Sequence, residues 1–182
     1  AAGSRLISCH EHNERQRLEQ LLTQIDQGKS VALVTDAGTP SISDPGFPVV
    51  KAAIDRGIPV IPVPGVSAAT TALSVSGLPT DAFIFTGFLP KKANKRLQRL
   101  QALAQGTATL IFYESPQRIL KLIDELIACM GDRPAVVCRE MTKPHEEFIR
   151  GRLSEIADVL RAKDAIKGEI TIIVAGGASA FP

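Results

Sequence analysis

The chain has 182 residues, 45% of them apolar, and 21 Lys and Arg against 19 Asp and Glu leave a net charge of +2. That length and apolar content give one large or two small globular domains with a real core and exclude a disordered segment; the small charge means any nucleic-acid surface has to be local. Three widely spaced cysteines, Cys9, Cys129 and Cys138, form no C-x-x-C and read as reduced core thiols of a cytoplasmic protein. No apolar run approaches the roughly 18 residues of a membrane helix, and no secretory signal opens the chain.

In chain order, Asn13 is placed to cap a helix whose Leu18, Leu21, Leu22 and Ile25 share one face, and Gly28 stops it. Val31-Ala32-Leu33-Val34 reads as a strand, followed by the run Thr35-Asp36-Ala37-Gly38-Thr39-Pro40-Ser41-Ile42-Ser43-Asp44-Pro45-Gly46. A loop of Gly, Pro, Asp and hydroxyl residues after a strand is where open α/β sheets hold ligands, and this one matches neither common nucleotide loop. Phe47, Val50 and Ile54 mark a second helix ending at Gly57. A proline-interrupted strand over 58–63 then leads through Pro64-Gly65-Val66 into a small-residue helix near 67–76, with Ser67 as its cap. Strand–helix alternation at this spacing predicts a parallel sheet with crossover helices.

Composition shifts near Gly77–Thr80, and this sets the predicted boundary between lobes at 1–80 and 81–182. The second lobe reads as a strand at 82–87, a basic segment Lys91–Arg99 that opens a helix, a strand at 107–113 and a helix at 116–130 with Ser115 as cap. Strands at 134–140 and 147–152, a helix near Ser154 and a strand at 169–175 complete it. The turn between 140 and 147 is too short for a helical crossover, so this lobe is expected to hold a mixed sheet. Lys92, Lys95, Arg96 and Arg99 fall at helical spacing in one stripe beside Lys91, which reads as a phosphate-positioning surface or as a solvated face. Cys9-His10-Glu11-His12 has no second ligand cluster, so no metal is expected.

The chain resembles the ribosomal RNA small subunit methyltransferase I family, within the tetrapyrrole-methylase fold group of S-adenosylmethionine-dependent enzymes. The resemblance rests on Ser8–Glu14, Ala32–Gly46, Val63–Ala69, Ala72–Leu78, Phe83–Pro90, Phe112-Tyr113-Glu114-Ser115-Pro116, Cys138-Arg139-Glu140-Met141-Thr142-Lys143, Glu146, Gly151-Arg152 and Lys167-Gly168-Glu169. It implies transfer of a methyl group from S-adenosylmethionine to the ribose 2′-hydroxyl of a cytidine in 16S rRNA, by a cytoplasmic homodimer working on the small ribosomal subunit. Asp36, Ala37, Gly38, Ile42, Ser67, Ala68, Tyr113, Met141, Gly168, Glu169 and Thr171 are the cofactor contacts it implies, in a cleft between the lobes. A 2′-hydroxyl is a poor acid, so a base or a cation is needed, and Glu114 and Lys143, each at a turn after a strand, are the catalytic candidates. The family's opening strand with its Pro-x-Pro-Ile-Gly-Asn loop, its Glu-Asp-Thr-Arg segment and its terminal helical module are not in this sequence, which therefore reads as a shortened chain. A tetrapyrrole C-methyltransferase of the same fold, or a cofactor-binding fragment without activity, are the alternative readings.

Overall fold

The computed structural model describes residues 5–10 and 12–177, and the chain divides into two compact units, Ala1–Ser67 and Ala68–Pro182. In the first, helices α1 (Glu14–Asp26) and α2 (Phe47–Asp55) bury Leu21, Leu22, Val49 and Ala53 against each other. Arg56 of the first unit pairs with Glu19 at 3.3 Å, and Glu14 accepts the Gly46 N–H at 3.2 Å. Asn13 uses its carboxamide oxygen to accept the His10 N–H (2.7 Å), so it organises the approach to α1 rather than the helix's own first turn.

The parallel sheet expected in the first lobe is not formed: among the described residues no strand precedes Phe83. Residues 31–35 and 58–63 run without ladder partners, and Val34, Ile61 and Val63 stand exposed. Pro59, Pro62 and Pro64 lack the N–H that a ladder needs, and an apolar strand with no neighbour has neither hydrogen-bond partners nor a face to bury.

The second unit contains α3 (Ala68–Ser74), β1 (Phe83–Phe88), α4 (Ala93–Ala104), β2 (Thr109–Glu114), α5 (Ile119–Met130), β3 (Pro134–Arg139), β4 (Glu147–Arg152), α6 (Leu153–Arg161) and β5 (Ile170–Val174). The sheet order is β1-β2-β5-β3-β4; β1 and β2 are parallel, and β5 runs antiparallel to both β2 and β3. The mixed sheet expected here is therefore present, and β5, last in sequence, fills its centre with five buried residues. Alternation divides the sheet's side chains between two faces. Leu110, Phe112, Val137 and Ile172 face α4, α5 and α6 in the larger cluster with Leu100, Ile123, Leu126 and Ile156. Ile111, Val136, Cys138 and Ile173 face the short α3, with Phe85, Tyr113, Met141 and Phe148 partly buried around them.

Helix α5 begins three residues later than its predicted start at Pro116. Pro116, Gln117 and Arg118 form a turn closed by the Arg118 N–H on the Ser115 carbonyl (3.0 Å), and Ser115 Oγ accepts from Arg118 Nε (3.1 Å) instead of capping the helix. Asp132 caps α6 from a distance, accepting both the Ser154 N–H (2.9 Å) and its hydroxyl (2.7 Å), bonds that hold its carboxyl below the usual range.

Candidate functional site

Because β1, β2 and β3 run in one direction and β5 and β4 in the other, one edge of the second unit's sheet gathers three strand ends and two strand starts. Tyr113 and Glu114 end β2, Arg139 ends β3, and Lys167-Gly168-Glu169 precede β5. Edges of this kind, outside the carboxyl ends of parallel strands, are where α/β sheets place ligands.

Two turns at this edge are locked together. Glu140 N–H donates to the Glu169 carbonyl (3.0 Å), and the Glu169 N–H returns a bond to Glu140 Oε1 (2.7 Å). Lys143 Nζ donates to Glu140 Oε1 (3.0 Å) and Glu169 Oε2 (2.9 Å), while Arg139 reaches the Lys167 carbonyl at 3.2 Å. Glu140 and Thr142 adopt left-handed backbone conformations, with φ of 50° and 63°, on either side of Met141. Non-glycine residues rarely hold this conformation without surrounding contacts that impose it, and such strain gathers at ligand clamps. Gly168, at φ 91°, leaves no room for a Cβ, which would overlap the Glu140 side chain. The Glu169 N–H first, and the Lys143 ammonium second, hold the Glu140 carboxyl below its usual range, and Lys143 is raised by Glu169 and then Glu140. A second network follows at the same edge, where Glu147 accepts from Arg139 Nε (2.8 Å) and Lys163 Nζ (2.7 Å).

The other sequence candidates in this unit fall nearby. The Ala69 N–H donates to the Tyr113 hydroxyl (3.2 Å), which ties the start of α3, and so Ala68, to the end of β2. Thr171 is buried in β5 in register with both Tyr113 and Cys138. Phe85 and Phe88 pack edge-on against Tyr113, with Phe83 and Phe88 exposed. Glu114 has different surroundings from those expected of a base. It follows Tyr113 in the strand, so it points to the opposite face, the one under α4 and α5. Its carboxylate is 3% exposed, pairs with Arg118 at 2.6 Å and accepts the Ser115 N–H at 2.7 Å. Glu114 thus fixes the 114–118 turn.

In the first unit, Asp36, Ala37, Gly38 and Ile42 are exposed on their loop. Thr35 Oγ donates to the Ala37 carbonyl (3.2 Å) and to Asp44 (3.3 Å), so Asp44 is a local brace, and Thr39 Oγ joins the loop to the Val66 carbonyl just before Ser67 (2.9 Å). Gly38, Ser41 and Ser43 adopt positive φ here.

The predicted basic stripe divides. Lys92, Lys95 and Arg99 are exposed, but Arg96 is 5% exposed and forms a bidentate pair with Glu125 of α5, both contacts at 2.6 Å. Its place in a solvent-facing stripe is overturned: the α4 face that packs on α5 passes through position 96. Glu11 of the Cys9–His12 run lies outside the described residues. Among the described residues no three His, Cys, Asp or Glu side chains gather as metal ligands, and no helix is long and apolar enough to cross a membrane.

Sequence reasoning did not single out Glu140 as a site residue. The signal was available in Gly168, a glycine directly before a strand, which marks a close approach by another side chain.

Residues 4–157 match the family model of the tetrapyrrole (corrin/porphyrin) methylases. The chain is 48% identical over 177 residues to the ribosomal RNA small subunit methyltransferase I of Micromonospora olivasterospora, covering 97% of this chain and 56% of that protein. It is 43% identical to that of Thermotoga maritima, covering 94% of this chain and 76% of the relative. The chain thus spans little more than half the length of some curated relatives. Among solved structures, the methyltransferase CobJ superposes with a TM-score of 0.68 at 20% identity, over 93% of this chain and 73% of that one. A uroporphyrin-III C-methyl transferase from Thermus thermophilus, complexed with S-adenyl homocysteine, gives 0.56 at 20% identity, over 90% and 73%. At such identities the superpositions establish the fold.

Proposed function

We propose, for a chain that belongs to the ribosomal RNA small subunit methyltransferase I family of the tetrapyrrole methylases, that it is the core of an S-adenosylmethionine-dependent methyltransferase acting on the ribose 2′-hydroxyl of a cytidine in 16S rRNA. The observation that carries the reading is identity of 43–48% to rRNA methyltransferases over 94–97% of this chain, and so along both units.

The interlocked turns fit a nucleoside cofactor. Left-handed backbone on both sides of Met141 and the close approach of Glu140 to Gly168 make a rigid, contact-imposed turn pair, and strain of this kind gathers at ligand clamps. Met141, Gly168, Glu169, Thr171, Tyr113 and Ala68 would hold the cofactor in the second unit. Asp36, Ala37, Gly38, Ile42 and Ser67 would do so in the first. When bound, S-adenosylmethionine supplies a methyl group already activated on sulfonium, so the protein's task is alignment and charge.

With the cofactor bound, methyl transfer from its sulfur to the 2′-oxygen would release the hydroxyl proton, which would pass to solvent. Lys143 is the cation we assign beside that oxygen. Its ammonium, raised by two carboxylates, stays protonated at neutral pH, so it stabilises negative charge and does not take the proton. Glu114, paired and turned to the helical face, is assigned to the turn and not to proton transfer.

The test is incubation with methyl-labelled S-adenosylmethionine and either 30S subunits lacking the modification or uroporphyrinogen III. Label in 16S rRNA alone supports the reading. Label in the macrocycle, or in neither, overturns it.

A further inference from the structure

The second unit's cations are not distributed evenly between paired and unpaired. Among the described residues, Lys91, Lys92, Lys95, Arg99, Lys121 and Lys167 are exposed with no carboxylate or carbonyl partner. Every other Lys and Arg of that unit pairs with an acid or donates to a backbone carbonyl. Five of those six lie on α4, on α5 or in the loop that leads into α4.

The buried Arg96–Glu125 pair sets how these two helices meet. Each follows one of two parallel strands, so α4 and α5 run in the same direction, and the pair fixes their register. One turn toward the amino end from Arg96 is Lys92, and one turn toward the amino end from Glu125 is Lys121. The two lysines therefore share the stripes that carry the ion pair, one turn toward the amino ends of neighbouring helices, and both are exposed. Arg96 also donates to the carbonyls of Pro90 and Lys91, at 3.4 and 3.3 Å, which anchors the segment that carries Lys91. The nearby acids are already engaged: Glu114 with Arg118, and Asp124 with Arg161. The helix amino ends add partial positive charge.

We infer that Lys91, Lys92 and Lys95 together with Lys121 of α5 form one two-helix cationic face that contacts the phosphates of the RNA substrate, with Arg96 and Glu125 holding its register. The inference rests on the rRNA reading above and adds to it a second helix and a defined geometry. Such a face binds by displacing counterions, so each phosphate contact contributes to the slope of affinity against salt.

The test measures binding of the whole chain to a fluorescent hairpin from the 16S decoding region at several salt concentrations. Lys121→Ala is expected to weaken binding and flatten the slope by about 0.7–0.9, one contact's worth. Lys121→Arg is expected to restore it. Lys51→Ala, which removes a positive charge paired with Asp55 in the other unit, is expected to leave the slope unchanged. If the unsubstituted chain binds with a steep slope that Lys121→Ala does not alter, the two-helix face is wrong and the rRNA reading survives. A chain with no salt-dependent affinity for the hairpin overturns both. Equal competition by anionic phospholipid vesicles would reassign the face to a membrane.

Discussion

A side chain at Gly168 would have to share space with Glu140, and the backbone there sits in the left-handed region that costs an ordinary residue about 1–2 kcal/mol. Gly168→Ala is therefore expected to weaken binding of S-adenosylhomocysteine by about tenfold, since about 1.4 kcal/mol corresponds to one decade. Calorimetry reads that loss. The effect is local because the larger core cluster lies on the sheet's other face. The charges of the same turn set its pH range. Glu140 is lowered, so its contribution is complete above its ordinary value, near about 4.3, and is lost as pH falls through the lowered value. Lys143 is raised, so its contribution is complete below about 10.4 and is lost as pH rises through the raised value. Cofactor affinity limited by these two groups is expected to stay flat from about pH 5 to about pH 10. A pH titration of Glu140→Gln, which keeps an acceptor for the Glu169 N–H but cannot ionise, should lose the acid limb.

At the level of elements, the Arg96–Glu125 pair shows how a helical repeat in sequence can mislead. Positions 92, 95, 96 and 99 all lie within reach of one stripe, and nothing in the residue types marks which of them faces a neighbouring helix. The α4–α5 packing decides that, with Leu100 and Leu103 of one helix and Leu122 and Leu126 of the other buried in one core cluster. Removing one partner of a buried pair costs about 3–5 kcal/mol, and Glu125 is partly solvated, so Arg96→Ala is expected near the lower end, about 3 kcal/mol. Lys92→Ala and Lys95→Ala, both on the surface, should stay within about 0.5 kcal/mol. Urea denaturation of the three variants checks this contrast. The second unit's strands were legible because each alternates or runs apolar between clear turn residues, and the short 140–147 link required an antiparallel neighbour. The 31–35 and 58–63 segments have the same local pattern. A strand also needs a partner, though, and no local pattern supplies one. Glu114 was legible as a residue at a strand end, but only the register of β2 showed that it faces the helices.

For the whole molecule, the two compact units differ in how their apolar residues are used. The second closes a five-stranded sheet with helices and carries left-handed turns at the edge where β2 and β3 end. The first carries two packed helices and loops rich in Gly and Pro, with apolar side chains of its extended segments exposed. What unites them is a shared likeness to rRNA methyltransferases. The position that receives the methyl group is read by alkaline hydrolysis of 16S rRNA methylated by this protein with labelled cofactor. A 2′-O-methyl group removes the nucleophile that cleaves the next phosphodiester, so the label is expected in an alkali-resistant dinucleotide beginning with cytidine. Label released in ordinary mononucleotides, and so carried on a base, would contradict it.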